Sequence, residues 1–312
     1  MAHAKEVFME NKLVVIAGAT GDLGGRIVRE LSTMKAPMKA LVRPGTSASK
    51  VKVLKDFGCD VIEVDLTNHK KLVDAMKGAS VILSVLAGLR DVIVDGQTRL
   101  LNAAVEAHVP RFIPSDFAID FTKIPEGANR NLNLRLDFFK IAEKADIRVT
   151  SILNGGFMDM LTGVAPFILF KVDRILCWGR PDQLMDWTTI DDTAKYTAFA
   201  ALDDNTPRFL KIAGDEISAN SLARDMTAIT GHQHKVLRPG GLKMFNWLIQ
   251  VTKLLAPGSR ELYPPWQGMQ YMENLYSGIS KFEILDNDRY PVTWTKAKDV
   301  LSNHLKTQAK GV

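Results

Sequence analysis

The stretch VVIAGATGDLGGRIVREL, residues 14–31, decides the fold. It opens with the β-branched apolar residues of a buried strand and closes with apolar side chains at helical spacing. Between them lie Gly18, Gly21 and Gly24, at intervals of three residues. Glycines there allow a tight turn, a close approach of the backbone to a pyrophosphate and close packing of helix on strand, and N–H groups at the helix start attract negative charge. The stretch predicts a dinucleotide-binding turn at the first strand–helix junction.

The same alternation of strand and helix continues along the first half of the chain. The further apolar runs that predict strands are MKALVR, DVIEVDL, SVILSVL, RFIPSDF and RVTSILN. Helical patterns cover residues 24–34, 47–57, 69–76, 94–107 and 129–146. Buried strands joined by helices indicate a parallel sheet covered on both faces. The predicted fold is therefore α/β, a doubly wound parallel sheet of the Rossmann type.

After Gly156 the rhythm becomes irregular, with short runs such as DRILCWG and helices rich in Met, Trp and Phe. We expect residues 1–156 to form the dinucleotide-binding domain and residues 157–312 a smaller C-terminal substrate lobe, with a soft boundary between them. The aromatic stretch ELYPPWQGMQYMENLYSG, residues 261–278, fits either a pocket for a flat organic ligand or a surface for a partner. The sequence leaves both readings open.

The composition places the chain among ordinary globular proteins, with 312 residues of which 46% are hydrophobic and 24% charged. The N-terminal residues hold no signal-peptide core, and apolar runs such as VAPFILF are too short to span a bilayer, so we expect a soluble, cytoplasmic protein with no membrane partner. The net charge is +5, but no nucleic-acid motif accompanies it, which predicts no nucleic-acid partner and suits an anionic small ligand. Cys59 and Cys177 lack metal-site spacing, and no metal is expected.

Position along the predicted sheet indicates further cofactor contacts. Arg43 stands at the tip of the second strand, where an acidic residue would accept from the ribose hydroxyls of NAD. Arginine instead suits a 2′-phosphate, which favours NADP(H). Lys50 and Lys52 either add charge nearby or belong to a solvated basic loop. The candidate contacts from the turn and the next strand ends are Gly18, Thr20, Gly21, Asp22, Leu23, Gly24, Arg43, Lys52, Asp65, Leu66 and Leu86.

The helical segment NRNLNLRLDFFKIAEKAD, residues 129–146, contains one basic residue in an unusual place. At about 100° per residue, Lys140 and Lys144 fall on a polar arc, whereas Arg135 falls in the middle of the apolar arc. A buried guanidinium costs several kcal/mol unless it is paired or lies in a polar cleft. Arg135 therefore needs a partner or a function, while Arg130 at the start is predicted to be an ordinary exposed residue.

Four features together resemble the NmrA-like, isoflavone reductase-like branch of the atypical short-chain dehydrogenases. They are the glycine spacing, the arginine after the second strand, VDGQTRLLNAAVEAHVPRFIPSDFA and DWTTIDDTAKY. The likeness is good over roughly residues 12–200. Its most specific piece is RFIPSDF, residues 111–117, which is similar to the Arg-Phe-x-Pro-Ser-Glu-Phe run of plant reductases. Asp116 stands in place of that glutamate and Ala118 in place of a following glycine.

The resemblance implies roles for several residues. It places Ser115 and Phe117 beside the nicotinamide, and Asn154 and Phe157, from NGGFMDML, at the border of the nicotinamide and the substrate pocket. In these reductases a lysine on the next helix polarises or protonates the substrate, and its place falls on Arg135. Arginine stays protonated, so it supplies a fixed positive charge and hydrogen bonds rather than a proton.

Two functions remain open at this stage. No tyrosine of the chain is followed four residues later by lysine, which argues against an ordinary short-chain alcohol dehydrogenase. The first reading is an NADPH-dependent reductase of a small, aromatic or conjugated substrate, with Arg135 stabilising charge. The alternative is a non-enzymatic NADP(H)-sensing regulator, like NmrA itself, that binds a protein partner; the loss of the lysine is its best support.

Overall fold

The computed structural model describes the backbone of residues 12–310 and the side chains of residues 12–308. The chain forms two compact units. The first contains residues 12–117, 134–152 and 193–210, and the second contains residues 118–133, 153–192 and 211–310. The expected division into residues 1–156 and 157–312 stays a prediction.

The first unit is built on a six-stranded parallel sheet. Its strands are β1 (Val14–Ala17), β2 (Met38–Val42), β3 (Asp60–Glu63), β4 (Val81–Ser84), β5 (Arg111–Ile113) and β6 (Arg148–Val149). Their order in the sheet is β3-β2-β1-β4-β5-β6, and every neighbouring pair is parallel. The order reverses between β1 and β4, so the carboxyl ends of these two strands form the switch point at which doubly wound sheets bind ligands. The predicted fold is confirmed.

Helices follow the strands as the sequence predicts. They are α1 (Asp22–Thr33), α2 (Ala48–Asp56), α3 (His69–Met76), α4 (Gln97–Glu106), α5 (Arg130–Ala142) and α6 (Ile190–Leu202), of which the last two also contribute residues to the second unit. One difference lies before α4, where a π-helical turn (Asp91–Gly96) replaces the predicted helix start. Helix α5 ends at Ala142, four residues before the predicted end, because the following residues form turns.

The core of the first unit packs apolar strand residues against helix faces. Val15, Ile82 and Phe112 on the sheet are fully buried, in one cluster with Leu100 of α4 and Phe138 of α5. Each such side chain contributes roughly 1.5–3 kcal/mol by leaving water. This packing fixes the carboxyl ends of the strands, and with them the site described below.

The second unit contains two small sheets and four helices. Its strands are β8 (Gly156–Phe157), β9 (Ile168–Leu169), β10 (Arg174–Leu176), β11 (Met185–Thr188), β13 (Asp215–Ile217) and β14 (Lys235–Leu237); β7 (Ser151–Leu153) and β12 (Phe209–Lys211) have residues in both units. The sheet orders are β14-β10-β9 and β13-β11-β8. The helices are α7 (Ala219–Thr230), α8 (Leu242–Leu255), α9 (Pro265–Ser277) and α10 (Ala297–Lys310). Short 3₁₀ turns cover Phe121–Lys123, Met158–Thr162, Phe170–Val172 and Asn287–Arg289.

Two searches of the described residues gave negative results. No helix there combines the length and the apolar character needed to cross a membrane. No group of three or more His, Cys, Asp or Glu side chains there could hold a metal ion.

Candidate functional site

The glycine turn after β1 is too tight for side chains at two of its three glycines. Gly18 has a φ of +93°, and a Cβ atom there would lie 2.3 Å from the carbonyl oxygen of Val85, just beyond β4. A Cβ at Gly24 would lie 2.2 Å from the carbonyl oxygen of Gly18. Gly21 donates its N–H to the same oxygen over 3.0 Å. The spacing of three residues thus lets the turn press against β4 and lets α1 press against the turn.

The start of α1 is open to an anion. Its N-cap residue is Gly21, and within the described residues no side chain caps the first turn, so the N–H groups there remain available. Gly21 and Asp22 are exposed. A cavity of about 470 Å³ lies beside this turn, lined by Thr20, Gly21, Asp22 and Lys50 among others. Uncapped N–H groups at a helix start, next to a cavity, are a suitable place for phosphate.

The basic residues after β2 differ in their surroundings. Arg43 follows the last residue of β2, is exposed, and has no carboxylate partner in the part of the chain that the structure describes. Lys50 lines the cavity beside the glycine turn. Lys52 instead pairs with Asp56 one helical turn further along α2, at 2.7 Å. Lys50 therefore contributes to the cavity, whereas the ammonium group of Lys52 is engaged by Asp56 on its own helix.

The ends of β3 and β4 carry the next three predicted contacts. Asp65 is exposed two residues beyond β3; its carboxylate accepts from the backbone N–H and the hydroxyl of Thr67, both at 2.8 Å, and these bonds lower its pKa. Leu66 is half-buried and packs against the core. Leu86, two residues beyond β4, is half-buried, and its carbonyl oxygen accepts a hydrogen bond from the hydroxyl of Ser115.

Ser115 is fixed by two hydrogen bonds just beyond β5. Its hydroxyl donates to the carbonyl oxygen of Leu86 over 2.6 Å, and its N–H donates to the side chain of Gln97 over 2.8 Å. Gln97 is buried at the start of α4 and is itself held by the carbonyl of Ile93 in the π-helical turn. Phe117 is also buried. Ser115, Leu86 and the glycine turn therefore meet at the carboxyl edge of the sheet, while Gln97 is a site residue that the sequence analysis missed.

Arg135 has an acidic neighbour. It is half-buried on α5, and its positive charge acts on the fully buried carboxyl of Asp116. Burial raises the pKa of Asp116, whereas the hydrogen bond from Ser151 and the charges of Arg135 and Arg208 oppose that rise. The sequence does not predict this acidic neighbour of Arg135.

A chain of polar contacts leads from Asp116 to the surface. The Ser151 hydroxyl donates to Asp116 Oδ2 over 2.6 Å and accepts from Arg208 Nη1 over 2.8 Å. Arg208 Nε donates to the exposed Glu143 over 2.6 Å, and the guanidinium lies over the ring of Phe139 at 4.7 Å. Asp116 Oδ1 has no hydrogen-bond partner among the described residues. Ser151 and Arg208 were also missed, because no motif connects residues 57 positions apart.

The other basic residues of α5 divide into two groups. Lys140 and Lys144 are exposed, as predicted. The prediction for Arg130 is wrong. Its guanidinium donates to the carbonyl of Leu262 over 2.9 Å and lies 4.8 Å from the centre of the Trp266 ring, and burial lowers its pKa. The helix start is anchored in the second unit by this contact, which periodicity does not reveal.

Asn154 and Phe157 lie in the second unit, next to two constrained glycines. Asn154 is fully buried, and neither its side-chain oxygen nor its nitrogen has a hydrogen-bond partner within the described residues. A Cβ at Gly155 would lie 2.3 Å from the carbonyl oxygen of Asp186. Phe157 is half-buried. An unsatisfied buried amide costs about 1–3 kcal/mol, so Asn154 favours a ligand or an ordered water at this position.

Comparison with known proteins gave consistent matches. The model of the NmrA-like family matches residues 10–245. The isoflavone reductase homolog IRL of Zea mays is 31% identical over 234 residues, 68% of this chain and 72% of that protein. The bifunctional pinoresinol-lariciresinol reductase 1 of Thuja plicata is 31% identical over 206 residues, 61% of this chain and 65% of that protein.

A solved structure has the same fold over nearly the whole chain. It is AtPrR2 with NADP⁺ and (+)pinoresinol, which superposes with a TM-score of 0.79 and covers 95% of this chain and 99% of its own. The two sequences are 21% identical, so this likeness concerns the fold.

Proposed function

Because the chain belongs to the NmrA-like family, we propose that it is an NADPH-dependent reductase of a small aromatic or conjugated substrate. Both curated relatives described above have names that refer to reductases, one of isoflavone and the other of pinoresinol and lariciresinol. The solved structure with the same fold contains NADP⁺. These likenesses support the reaction class, while the identity of the substrate is left to experiment.

The observation that carries the proposal is the glycine turn between β1 and α1. A Cβ atom at Gly18 or Gly24 would collide with backbone oxygen, so the turn packs closely beside the end of β4. Among the described residues, no side chain caps the first N–H groups of α1. A purely structural turn does not need this combination of close backbone packing and an uncapped helix start. It fits a pyrophosphate, which the N–H groups and the helix dipole stabilise.

Further residues fit the rest of the dinucleotide. The exposed guanidinium of Arg43, which has no carboxylate partner among residues 12–308, suits a 2′-phosphate, which forms strong charge-assisted bonds with arginine. Lys50, rather than Lys52, is placed to add charge from the cavity beside the turn. We assign Asp65 and Leu66 to the adenine side, and Leu86, Ser115 and Phe117 to the nicotinamide side. The ligand contact that the resemblance implies for Asn154, in the second unit, stays a prediction.

NADPH, when bound, supplies a hydride to a carbon of the substrate. As the new C–H bond forms, the electron pair of the substrate π bond that breaks moves to the far atom of the conjugated system, and we assign Arg135 to stabilise the negative charge that develops there. Arginine is not a proton donor in such a step, so the proton that completes the reduction comes from water. The Asp116 carboxyl lies near the guanidinium, and the hydrogen bond from Ser151 fixes that carboxyl in turn.

Cofactor absorbance provides a direct test. Purified protein is mixed with NADPH and a panel of pinoresinol, isoflavones, quinones and enals. We expect turnover on at least one compound, and Arg135→Ala lowers kcat by roughly 10²–10³-fold while NADPH binding is kept. Lys140→Ala, on the exposed side of the same helix, is the matched control and keeps full activity. Tight NADP(H) binding without turnover on any compound would contradict the proposal and favour the alternative function, a non-enzymatic NADP(H)-sensing regulator.

A further inference from the structure

Helix α8 presents an apolar face to solvent. Phe245 and Ile249 are buried and attach the helix to the second unit. On the opposite side, within an arc of about 120°, lie Trp247, Leu254 and Leu255, which are 65%, 82% and 78% exposed. The half-exposed Met244 and the partly buried Val251 fill the arc between them, and the exposed Ala256 and Pro257 follow the helix. Single exposed apolar side chains are common, but a continuous group of this size marks an interaction surface.

The same segment carries the whole excess of positive charge. Residues 231–260 contain five Lys and Arg residues and no Asp or Glu, and this local charge equals the net charge of +5 of the entire chain. All five of these basic side chains are exposed, namely Lys235, Arg238, Lys243, Lys253 and Arg260. Basic residues also occur elsewhere along the chain, but outside this segment acidic residues balance them in number.

A basic cavity lies at the start of α8. Its volume is about 510 Å³, and its lining includes Arg180, Arg238 and Lys243. None of the described residues that line it is acidic; Arg180 also reaches Asp182, which is exposed, at 3.6 Å. The cavity is large enough for a phosphate-bearing head group, and the apolar face begins on the same helix.

In place of the expectation of no membrane partner, we propose that residues 231–260 dock the protein on an anionic phospholipid bilayer. Helix α8 lies flat in the interface, with Trp247, Leu254 and Leu255 at the level of the acyl chains and the basic residues at the phosphates. At 1.5 Å per residue its 14 residues measure roughly 21 Å, too short to span a bilayer and long enough to lie along one. An apolar face on a segment whose only charged residues are Lys and Arg matches this surface, because anionic lipid offers both hydrocarbon and negative charge.

A second copy of the chain is a poorer occupant of this face. In a two-fold dimer the same surface meets itself, which would oppose Lys243 and Lys253 of one copy to the equivalent basic residues of the other. Nucleic acid would satisfy the charges but not the exposed leucines. Charge complementarity therefore favours the anionic bilayer.

Vesicle flotation with the full chain tests the proposal. The probes are vesicles of phosphatidylcholine alone and of phosphatidylcholine with about 30 mol% phosphatidylserine. We expect binding only to the anionic vesicles, weakened as salt rises from about 0.1 to about 0.5 M. Leu254→Asn/Leu255→Asn lowers the partition coefficient by about tenfold or more. The matched control is Val164→Asn/Ile284→Asn, at side chains that are 79% and 78% exposed outside this segment, and it binds like the natural chain.

A second pair of variants separates charge from position. Lys243→Glu/Lys253→Glu lowers the partition coefficient by about tenfold or more, since each basic residue near the surface counts for roughly fivefold. Lys298→Glu/Lys306→Glu, at exposed positions of α10, changes the net charge equally and leaves binding nearly unchanged. Circular dichroism establishes that each variant folds.

Several outcomes would overturn the proposal. They are equal binding to neutral vesicles, no vesicle binding by the folded natural chain, and equal losses in both charge variants. So would a dimer, seen by light scattering, that Leu254→Asn/Leu255→Asn dissociates, or binding of inorganic phosphate without binding of vesicles. None of these measurements depends on NADPH oxidation, so their outcome does not test the proposed reductase activity.

Discussion

Arg43 is the residue on which the choice between the two nicotinamide dinucleotides depends. Its guanidinium is exposed directly after β2 and is not neutralised by a neighbouring carboxylate within the described residues. We predict that Arg43→Ala weakens NADPH binding by roughly 10–100-fold and changes NADH binding by less than about threefold, because only NADPH carries the 2′-phosphate that a guanidinium binds with charge-assisted hydrogen bonds. Fluorescence titration with each dinucleotide measures both constants.

Lys52→Ala is the control for that titration. Lys52 pairs with Asp56 on α2, so we expect Lys52→Ala to leave NADPH affinity unchanged. Lys50 lines the cavity beside the glycine turn, so we expect Lys50→Ala to weaken NADPH binding. Equal losses of NADPH and NADH affinity in Arg43→Ala would rule out a 2′-phosphate at this position.

Residues of the site differ in how far the sequence could predict them. Arg135 stood out because one charged side chain on an apolar arc is a local conflict that a helical wheel reveals. Its neighbour Asp116 is 19 positions away, and Arg208 is farther still, so the network that accommodates Arg135 depends on how β5, α5 and β7 are packed. Local patterns report such a conflict but not its solution.

At the scale of elements, the glycine turn was the most predictable part of the molecule. Strand, turn and helix are specified within residues 14–31, so the sequence indicated both the element and its role. The π-helical turn Asp91–Gly96 was not predictable, because it depends on tertiary contacts. The carbonyl of Ile93 in this turn accepts a hydrogen bond from the buried side chain of Gln97, which in turn accepts one from the N–H of Ser115. The exposed apolar face of α8 was also not predictable from the sequence. The helix has apolar residues on both sides, and only the packing of Phe245 and Ile249 determines which side is exposed to solvent.

Two neighbouring glycines of α1 allow the packing at the turn to be tested. A Cβ at Gly24 would lie 2.2 Å from backbone oxygen, whereas at Gly25 the nearest atom would be 3.6 Å away. We predict that Gly24→Ala lowers the free energy of unfolding by about 2–4 kcal/mol and abolishes NADPH binding, because α1 must move off the turn. Gly25→Ala raises the free energy of unfolding by up to about 1 kcal/mol, the helix preference of alanine over glycine.

Urea denaturation and NADPH titration of both variants measure these effects. If Gly24→Ala and Gly25→Ala behaved alike, the close approach of α1 to the turn would not be what requires glycine at residue 24.

At the scale of the whole molecule, each compact unit has a buried carboxyl whose pKa is raised by burial. In the first unit this group is Asp116, beside Ser151 and Arg135. In the second it is Asp186, where bonds from Lys281 and from the backbone N–H of Phe282 oppose the effect of burial. The two units therefore share a physical property although their sheets differ, and this property links the stability of the molecule to pH.

The sign of that linkage follows from the direction of the shifts. A carboxyl with a pKa above its unfolded value of 3.8 keeps its proton in the folded state at pH values where the unfolded chain has lost it. The folded state then binds more protons, so the contribution of these groups to stability is greatest below the unfolded pKa and falls as pH rises towards the folded pKa. We predict that Asp116→Asn, which cannot ionise, reduces the fall in unfolding free energy as pH rises from the unfolded pKa towards the folded pKa, and that Asp116→Asn/Asp186→Asn reduces it further. Urea unfolding at several pH values across this range measures the slopes. Parallel profiles for Asp116→Asn and the natural chain would mean that Asp116 titrates alike in both states, and that Ser151, Arg135 and Arg208 together fully offset the cost of its burial.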